Sequence, residues 1–182
     1  MDNSTTDVTL FAVFINDILD LYKNKPEIYE DLAPFTKGYD LYFAQNKIPI
    51  QVYNNMCKWI EDNLGRFNLI HLGRKIGETA YDTMISNKFI DRLSTPKQIM
   101  EALVQVAAHM IQDPKGRGWE IVAYTDNAIQ MKRTQTFNGR LQFGLLDGLI
   151  KKSNVMFVEV KYLQNVEEGA EFDIYEITWK NR

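Results

Sequence analysis

FNGRLQFGLLDGLIKKSNVMFVEVKYLQNVEEGAEFDIYEITW, residues 137–179, carries the central packing element of the chain. It divides into a turn, a helix from Gly139 to Lys152, a strand from Val155 to Leu163 and a second strand from about Ala170 to Lys180. The helix carries Leu141, Phe143, Leu145, Leu146, Leu149 and Ile150 over nearly its whole circumference, which predicts a buried layer and not a surface helix. Asn138-Gly139 turns the chain into it, and Lys151 and Lys152 sit in the last turn, where cations favour the helix dipole.

On its N-terminal side, Gly118 to Tyr124 and Ala128 to Thr136 are rich in β-formers and flank the turn-prone Thr125-Asp126-Asn127, so they predict a hairpin. Before the hairpin, Thr95-Pro96-Lys97-Gln98 has the form of a capping box. It opens a helix with Ile99, Leu103, Val106 and Met110 on one face, which Asp113-Pro114 stops. Two further helices are predicted: one after Pro49 with the stripe Ile50, Tyr53, Cys57, Ile60 and Leu64, and one from Arg66 to Ser86 with Leu69, Gly73, Ile76, Ala80 and Met84. Gly73, Gly77 and Ala80 thin that face for a close backbone or ligand approach, ordinarily tight helix packing. Thr9 to Tyr22 has helical spacing, Glu27 to Asn46 predicts short helices broken by Pro34 and Gly38, and Met1 to Asp7 predicts a loose terminus.

The fold class is therefore α+β: an N-terminal helical layer packed on a C-terminal antiparallel sheet, strand-strand-helix-strand-strand after the helices. One domain over 1–182 is expected, mainly helical over 8–113 and sheet with one buried helix over 114–182. A net charge of −3 and a pI near 5.5 argue against nucleic acid as a partner. The single cysteine, Cys57, excludes an internal disulfide framework and suits a reducing, cytoplasmic setting. The run Leu10 to Ile15 is too short for a membrane span.

The order of elements, with Met100-Glu101-Ala102-Leu103, the run Gly139 to Leu149 and the terminal Phe172-Asp173-Ile174-Tyr175-Glu176-Ile177-Thr178-Trp179, resembles a known superfamily. It is similar to the fold shared by haem–nitric oxide (H-NOX) domains, 4-vinyl-reductase-type sensor domains and TRAPP vesicle-tethering subunits, over roughly Leu69 to Trp179. The resemblance implies a hydrophobic ligand cavity between helices and sheet, sensory or scaffolding roles, and often a bacterial context. In haem-binding members a proximal histidine stands on the helix before the sheet, and a Tyr-x-Ser-x-Arg strand clasps the propionates. Here that helix has Ile99, Met100 and Leu103 in its first half with His109 only near its end, and the strand reads Ile129-Gln130-Met131-Lys132-Arg133-Thr134. An iron ligand displaced by helical turns would face away from the cavity, so these departures argue against haem as a cofactor. The cysteines of the other two groups, redox or acylated, have no counterpart after Cys57 or in Phe89 to Ser94.

His71 and His109 form no paired metal motif, so no metal site is predicted, and Cys57 reads as a core residue. Lys132, Arg133, Arg140, Lys151 and Lys152 read as solvated charges at a sheet edge and helix ends, and Arg74, Lys75 and Glu78 as helix-surface pairs. Tyr39, Tyr42, Phe43, Tyr53 and Trp59 could line a cavity but read more simply as core. No acid–base, nucleophile or metal constellation marks an enzyme. The functional expectation is a cytoplasmic, non-enzymatic sensor or regulatory domain binding a small apolar ligand, with Ile76, Ala80, Leu103, Val106, Ala107, Met131, Leu145 and Leu149 as the lining. The alternative is a protein-interaction or scaffolding subunit with a filled core that forms a homodimer or meets a signalling partner.

Overall fold

The computed structural model describes residues 4–133 and 137–181, so the ends of two expected segments, Met1–Asn3 and Thr134–Thr136, lie outside the described residues. The chain runs β1 (Thr9–Phe11), α1 (Val13–Tyr22), α2 (Pro26–Leu32), β2 (Lys47–Pro49), α3 (Ile50–Leu64), α4 (Arg66–Ser86), α5 (Pro96–Met110), β3 (Ile111–Gln112), β4 (Trp119–Tyr124), β5 (Ala128–Arg133), α6 (Gly139–Lys151), β6 (Val155–Gln164) and β7 (Asp173–Asn181). Helices fill the first part and the order β-β-α-β-β closes the chain, an α+β architecture with antiparallel sheets.

Local signals set most boundaries. Thr95 accepts from the Gln98 amide while the Gln98 side chain receives the Thr95 amide, a complete capping box at the start of α5. The Asn138 side chain accepts from the amides of Arg140 and Leu141 and so starts α6. Gly65, at φ 86°, separates α3 from α4 in a backbone conformation that a side chain would strain.

The N-terminal segment departs from its helical spacing. Thr9–Phe11 is the middle strand of a small sheet of order β2-β1-β3, with Leu10 opposite both Ile48 and Ile111. All three residues are buried, and pairing between distant segments outweighs a local period of 3.6. The same pairing takes Ile111–Gln112 from the end of the predicted helix and Lys47–Pro49 from the segment before α3. Between Glu27 and Asn46 only α2 and a 3-10 turn over Ala33–Thr36 are helical; Tyr39, Tyr42 and Phe43 are exposed and not core.

The larger sheet has order β4-β5-β7-β6 and is antiparallel throughout. Helix α6 lies between this sheet and α4 and is buried over most of its length, as its all-round apolarity requires. Its crossing with α4 is a contact of backbones. A Cβ on Gly73 would stand 2.1 Å from the Leu141 carbonyl oxygen, and one on Gly77 2.2 Å from that of Leu145. From the other side, Cβ atoms on Gly144 and Gly148 would meet the carbonyls of Ile70 and Arg74 at 2.1 and 2.2 Å. Tight packing is thus the role of these small residues. Arg74 pairs across the crossing, its Nε 2.5 Å from the buried Asp147 carboxylate, which also holds Lys151 at 2.8 Å. Lys75 and Glu78 do form the expected surface pair, whereas Arg74 does not.

Candidate ligand-binding site

Beside the α4–α6 crossing, the helical layer and the sheet border a cavity of about 840 Å³. Helix α1 contributes Phe14 and Asp17, α3 Tyr53, α4 Ile76 to Met84, α5 Leu103 to Met110, and α6 Gln142 and Leu145. Trp119 of β4, Arg133 of β5 and Phe137 close the sheet side.

The structure places Ile76, Ala80, Leu103, Val106, Ala107 and Leu145 of the predicted lining on this wall. It places Met131 and Leu149 elsewhere, both fully buried. Leu149 lies one turn beyond Leu145 on α6 and is buried in the core away from the cavity. Met131 is two residues before Arg133 on the same face of β5, and the strand reaches the cavity only at its end. Tyr53 alone of the five aromatics lines the cavity.

The residue that departs furthest from expectation is Arg133. Its sequence reading as a solvated charge put it in solvent, yet it is 3% exposed, because it shares the period-two inward face of Ile129 and Met131. Its guanidinium lies 4.9 Å from the centroid of the Trp119 ring and 4.4 Å from that of Phe137. Nε, Nη1 and Nη2 have no hydrogen-bond partner among the described residues. Burial lowers its pKa from the ordinary guanidinium range to about 9, against a smaller opposing pull from Tyr175, Tyr53 and Asp113. A buried cation without a hydrogen-bonded anion costs several kcal/mol, and two ring faces offset only part of it. The remaining expected basic residues are paired: Lys132 with Glu120, Lys151 with the buried Asp147, Lys152 with Asp82, and Arg140 with Glu61 and Glu167.

The wall continues from Arg133 as a run of rings. Phe137 meets Tyr53 at 5.7 Å and 66°, and Tyr53 meets Phe14 edge-on at 6.0 Å. Burial raises the Tyr53 pKa well above the phenol range; Cys57 and Asp17 add to the rise and Arg133 opposes it. One turn along α1 from Phe14, Asp17 is raised to about 6, first by burial and then by Asp20. Cys57 itself is buried, and burial pushes its thiol up, away from nucleophilic use. At the C-terminal end of α5, His109 is on the cavity wall and its ring stands edge-on to Phe11 at 5.6 Å. His71 is exposed on α4. No cluster of three or more His, Cys, Asp or Glu suited to a metal occurs among the described residues.

No family model matches the chain. No curated protein matches it by sequence. Solved structures do match by shape. An H-NOX protein from S. oneidensis in the Fe(II) state, a triple mutant, superimposes with a TM-score of 0.74 at 10% identity over 94% of this chain and 97% of that one. The H-NOX protein from S. oneidensis in the Fe(II)NO state gives 0.71 at 12% identity, covering 94% and 100%. An unliganded Fe(II) H-NOX protein from K. algicida gives 0.69 at 12%, covering 95% and 98%. The fold of this chain is the H-NOX fold, as the run Gly139 to Leu149 implied.

These neighbours overturn the expectation that the chain has no cofactor, since they carry Fe(II) within the same fold. The premise behind that expectation also fails in the geometry. The cavity extends along α5 far enough for His109 to line it, and the strand that lacks the full clasp motif still delivers an unpartnered arginine to the wall. The residues present fit a haem in two respects: a guanidinium complementary to a carboxylate, and one imidazole on an otherwise largely apolar wall.

Among the described residues, no helix is long and apolar enough to cross a membrane.

Proposed function

We propose that the chain is a sensor domain whose cavity holds a flat, largely apolar ligand bearing carboxylates, with haem as the specific ligand. The observation that carries this reading is Arg133: a guanidinium buried at the cavity wall whose three nitrogens lack partners. Native structures leave few buried polar atoms unsatisfied, and a charged one is explained by a ligand that completes it. A carboxylate on Arg133 would form charge-assisted hydrogen bonds while the ligand's body displaces water from the apolar walls. Trp119 and Phe137 fix the guanidinium between their faces before the ligand arrives, so little side-chain freedom is lost on binding.

For haem, Arg133 would take propionates, and His109 is the imidazole available on the wall to face the metal. When bound, haem iron supplies a site for diatomic gases. The walls contributed by Phe14, Ile76, Ala80 and Leu145 restrict what can share the cavity with the ring. The structural neighbours in Fe(II) and Fe(II)NO states support this choice of ligand. The role is binding and not catalysis, exercised in the cytoplasm, with the signal passed to a protein partner.

Native mass spectrometry of the protein produced with ample haem tests the reading. The expected result is an added mass that denaturation removes and that Arg133→Met largely lacks. A bare mass for the wild type, together with no Soret band on adding haemin, would overturn haem as the ligand.

A further inference from the structure

Tyr53, on the cavity wall beside Arg133, carries a hydroxyl that the reading above leaves unused. The residue is 1% exposed and lines the cavity from α3, yet its hydroxyl makes no hydrogen bond among the described residues. Phe14 at 6.0 Å and Phe137 at 5.7 Å pack on its ring and not on its oxygen. Asp17, an acid that acts on Tyr53 electrostatically, accepts no hydrogen bond from it. Phe137 also places Tyr53 relative to Arg133, because the guanidinium packs on the same ring at 4.4 Å. The two polar ends are near enough to act on each other: Arg133 opposes the rise of the Tyr53 pKa, and Tyr53 opposes the fall of the Arg133 pKa. Burial holds the phenol well above its usual range, so it stays protonated and keeps its donor. Around one phenylalanine ring the wall thus presents a guanidinium and a hydroxyl, with a protein acceptor for neither.

We propose that Tyr53 is a second ligand-binding residue of the cavity, whose hydroxyl donates to the carboxylate edge of the ligand beside Arg133. This rests on the carboxylate-binding role of Arg133 and adds a donor from the helical layer to the one on the sheet. A carboxylate has two oxygens and about four acceptor sites, so one guanidinium does not exhaust it. A neutral hydroxyl supplies a further hydrogen bond without a second buried cation and its desolvation penalty. Tyrosine suits the place, because its ring fills the wall between Phe14 and Phe137 while its polar tip serves the ligand. The preferred class is a flat apolar ligand with its acid groups gathered on one edge, as the two propionates of haem are. That edge joins α3 to β5, and a ligand without free acid loses both contacts.

Iron-free protoporphyrin and its dimethyl ester isolate this contact, because the ester keeps the ring and loses the charges. Binding at pH 7.5 is followed by quenching of tryptophan fluorescence. Tyr53→Phe removes one oxygen and should bind free protoporphyrin about tenfold more weakly than the wild type does, as for a hydrogen bond to a charged group. For the ester, whose acceptor is neutral, the two proteins should differ by less than about threefold. The Tm of ligand-free Tyr53→Phe should be no lower than that of the wild type, since the hydroxyl has no partner to lose. Equal affinity of the two proteins for protoporphyrin, equal weakening for acid and ester, or a lowered Tm of the variant would overturn this inference while leaving the role of Arg133 intact. Failure of the wild type to bind protoporphyrin, or binding indifferent to Arg133→Met, would overturn the reading on which it rests, and this inference with it.

Discussion

Replacing Arg133 with methionine should stabilise the ligand-free protein and cripple its binding. The fall of the Arg133 pKa from the ordinary guanidinium range to about 9 corresponds to roughly 5 kcal/mol against the charged form at neutral pH. Methionine ends that penalty and forfeits two desolvated cation–π contacts, about 2 kcal/mol each. Its sulfur regains about 1 kcal/mol against the same rings, Trp119 and Phe137. The net expectation is a gain of about 2 kcal/mol, or a Tm higher by roughly 4–8 °C for a chain of this size. Urea unfolding at pH 7.5, with an unchanged denaturant slope, measures it. The pH dependence fixes the cause. The folded state holds the Arg133 proton less tightly than the unfolded state, so wild-type stability from this group rises as pH climbs above about 9. The advantage of the variant should therefore be full below pH 8 and shrink above pH 9, where the guanidinium loses its proton more readily. Destabilisation by 2 kcal/mol or more would refute the reasoning, because it would mean that Arg133 is a satisfied structural residue.

Other perturbations probe the scaffold and the carboxyl of Asp17. Gly77→Ala places a Cβ 2.2 Å from the Leu145 carbonyl oxygen, so α4 and α6 must move apart; a loss of about 3 kcal/mol by urea unfolding is expected despite the better helix propensity of alanine. Asp147→Ala removes the shared anion of Arg74 and Lys151; both cations are partly exposed, so the cost should be about 2 kcal/mol and lower than for a fully buried pair. Thr95→Ala breaks the capping box and should cost about 1 kcal/mol in the same measurement. Asp17, raised from 3.8 to about 6, binds a proton more tightly when folded, so its contribution to stability is favourable at acid pH and is lost as pH rises through about 6. Asp17→Asn should accordingly stabilise the protein by about 1 kcal/mol at pH 8 and by little at pH 4.5.

The long-range order of the fold was legible because its signals are local and repeated. The capping box at Thr95, the glycine after α3 and the all-round apolarity of residues 139–150 each depend on a few adjacent residues. The small N-terminal sheet was not legible, because Thr9–Phe11 owes its strand conformation to Ile48 and Ile111, which no window around Leu10 contains. The apolar cavity wall on α4 and α5 followed from helical stripes, but a stripe does not tell which of its residues meet the cavity and which pack into the core. Leu149 shares a face with Leu145 and is fully buried away from the cavity. Arg133 was misread through its charge, although the alternation Ile129, Met131, Arg133 places it on the buried face. Asp17 and Gln142 carry no such signal, since a polar residue on a helix facing a cavity is spelled like one facing solvent.

The most direct test of the central claim is a haemin titration of the wild type and Arg133→Met, read by absorbance at the Soret band. Binding to the wild type should be saturable and weakened at least thirtyfold in the variant, since loss of a charge-assisted pair to a buried cation is worth about 2 kcal/mol or more. Equal affinity of the two proteins for haemin, with both folded, would contradict it.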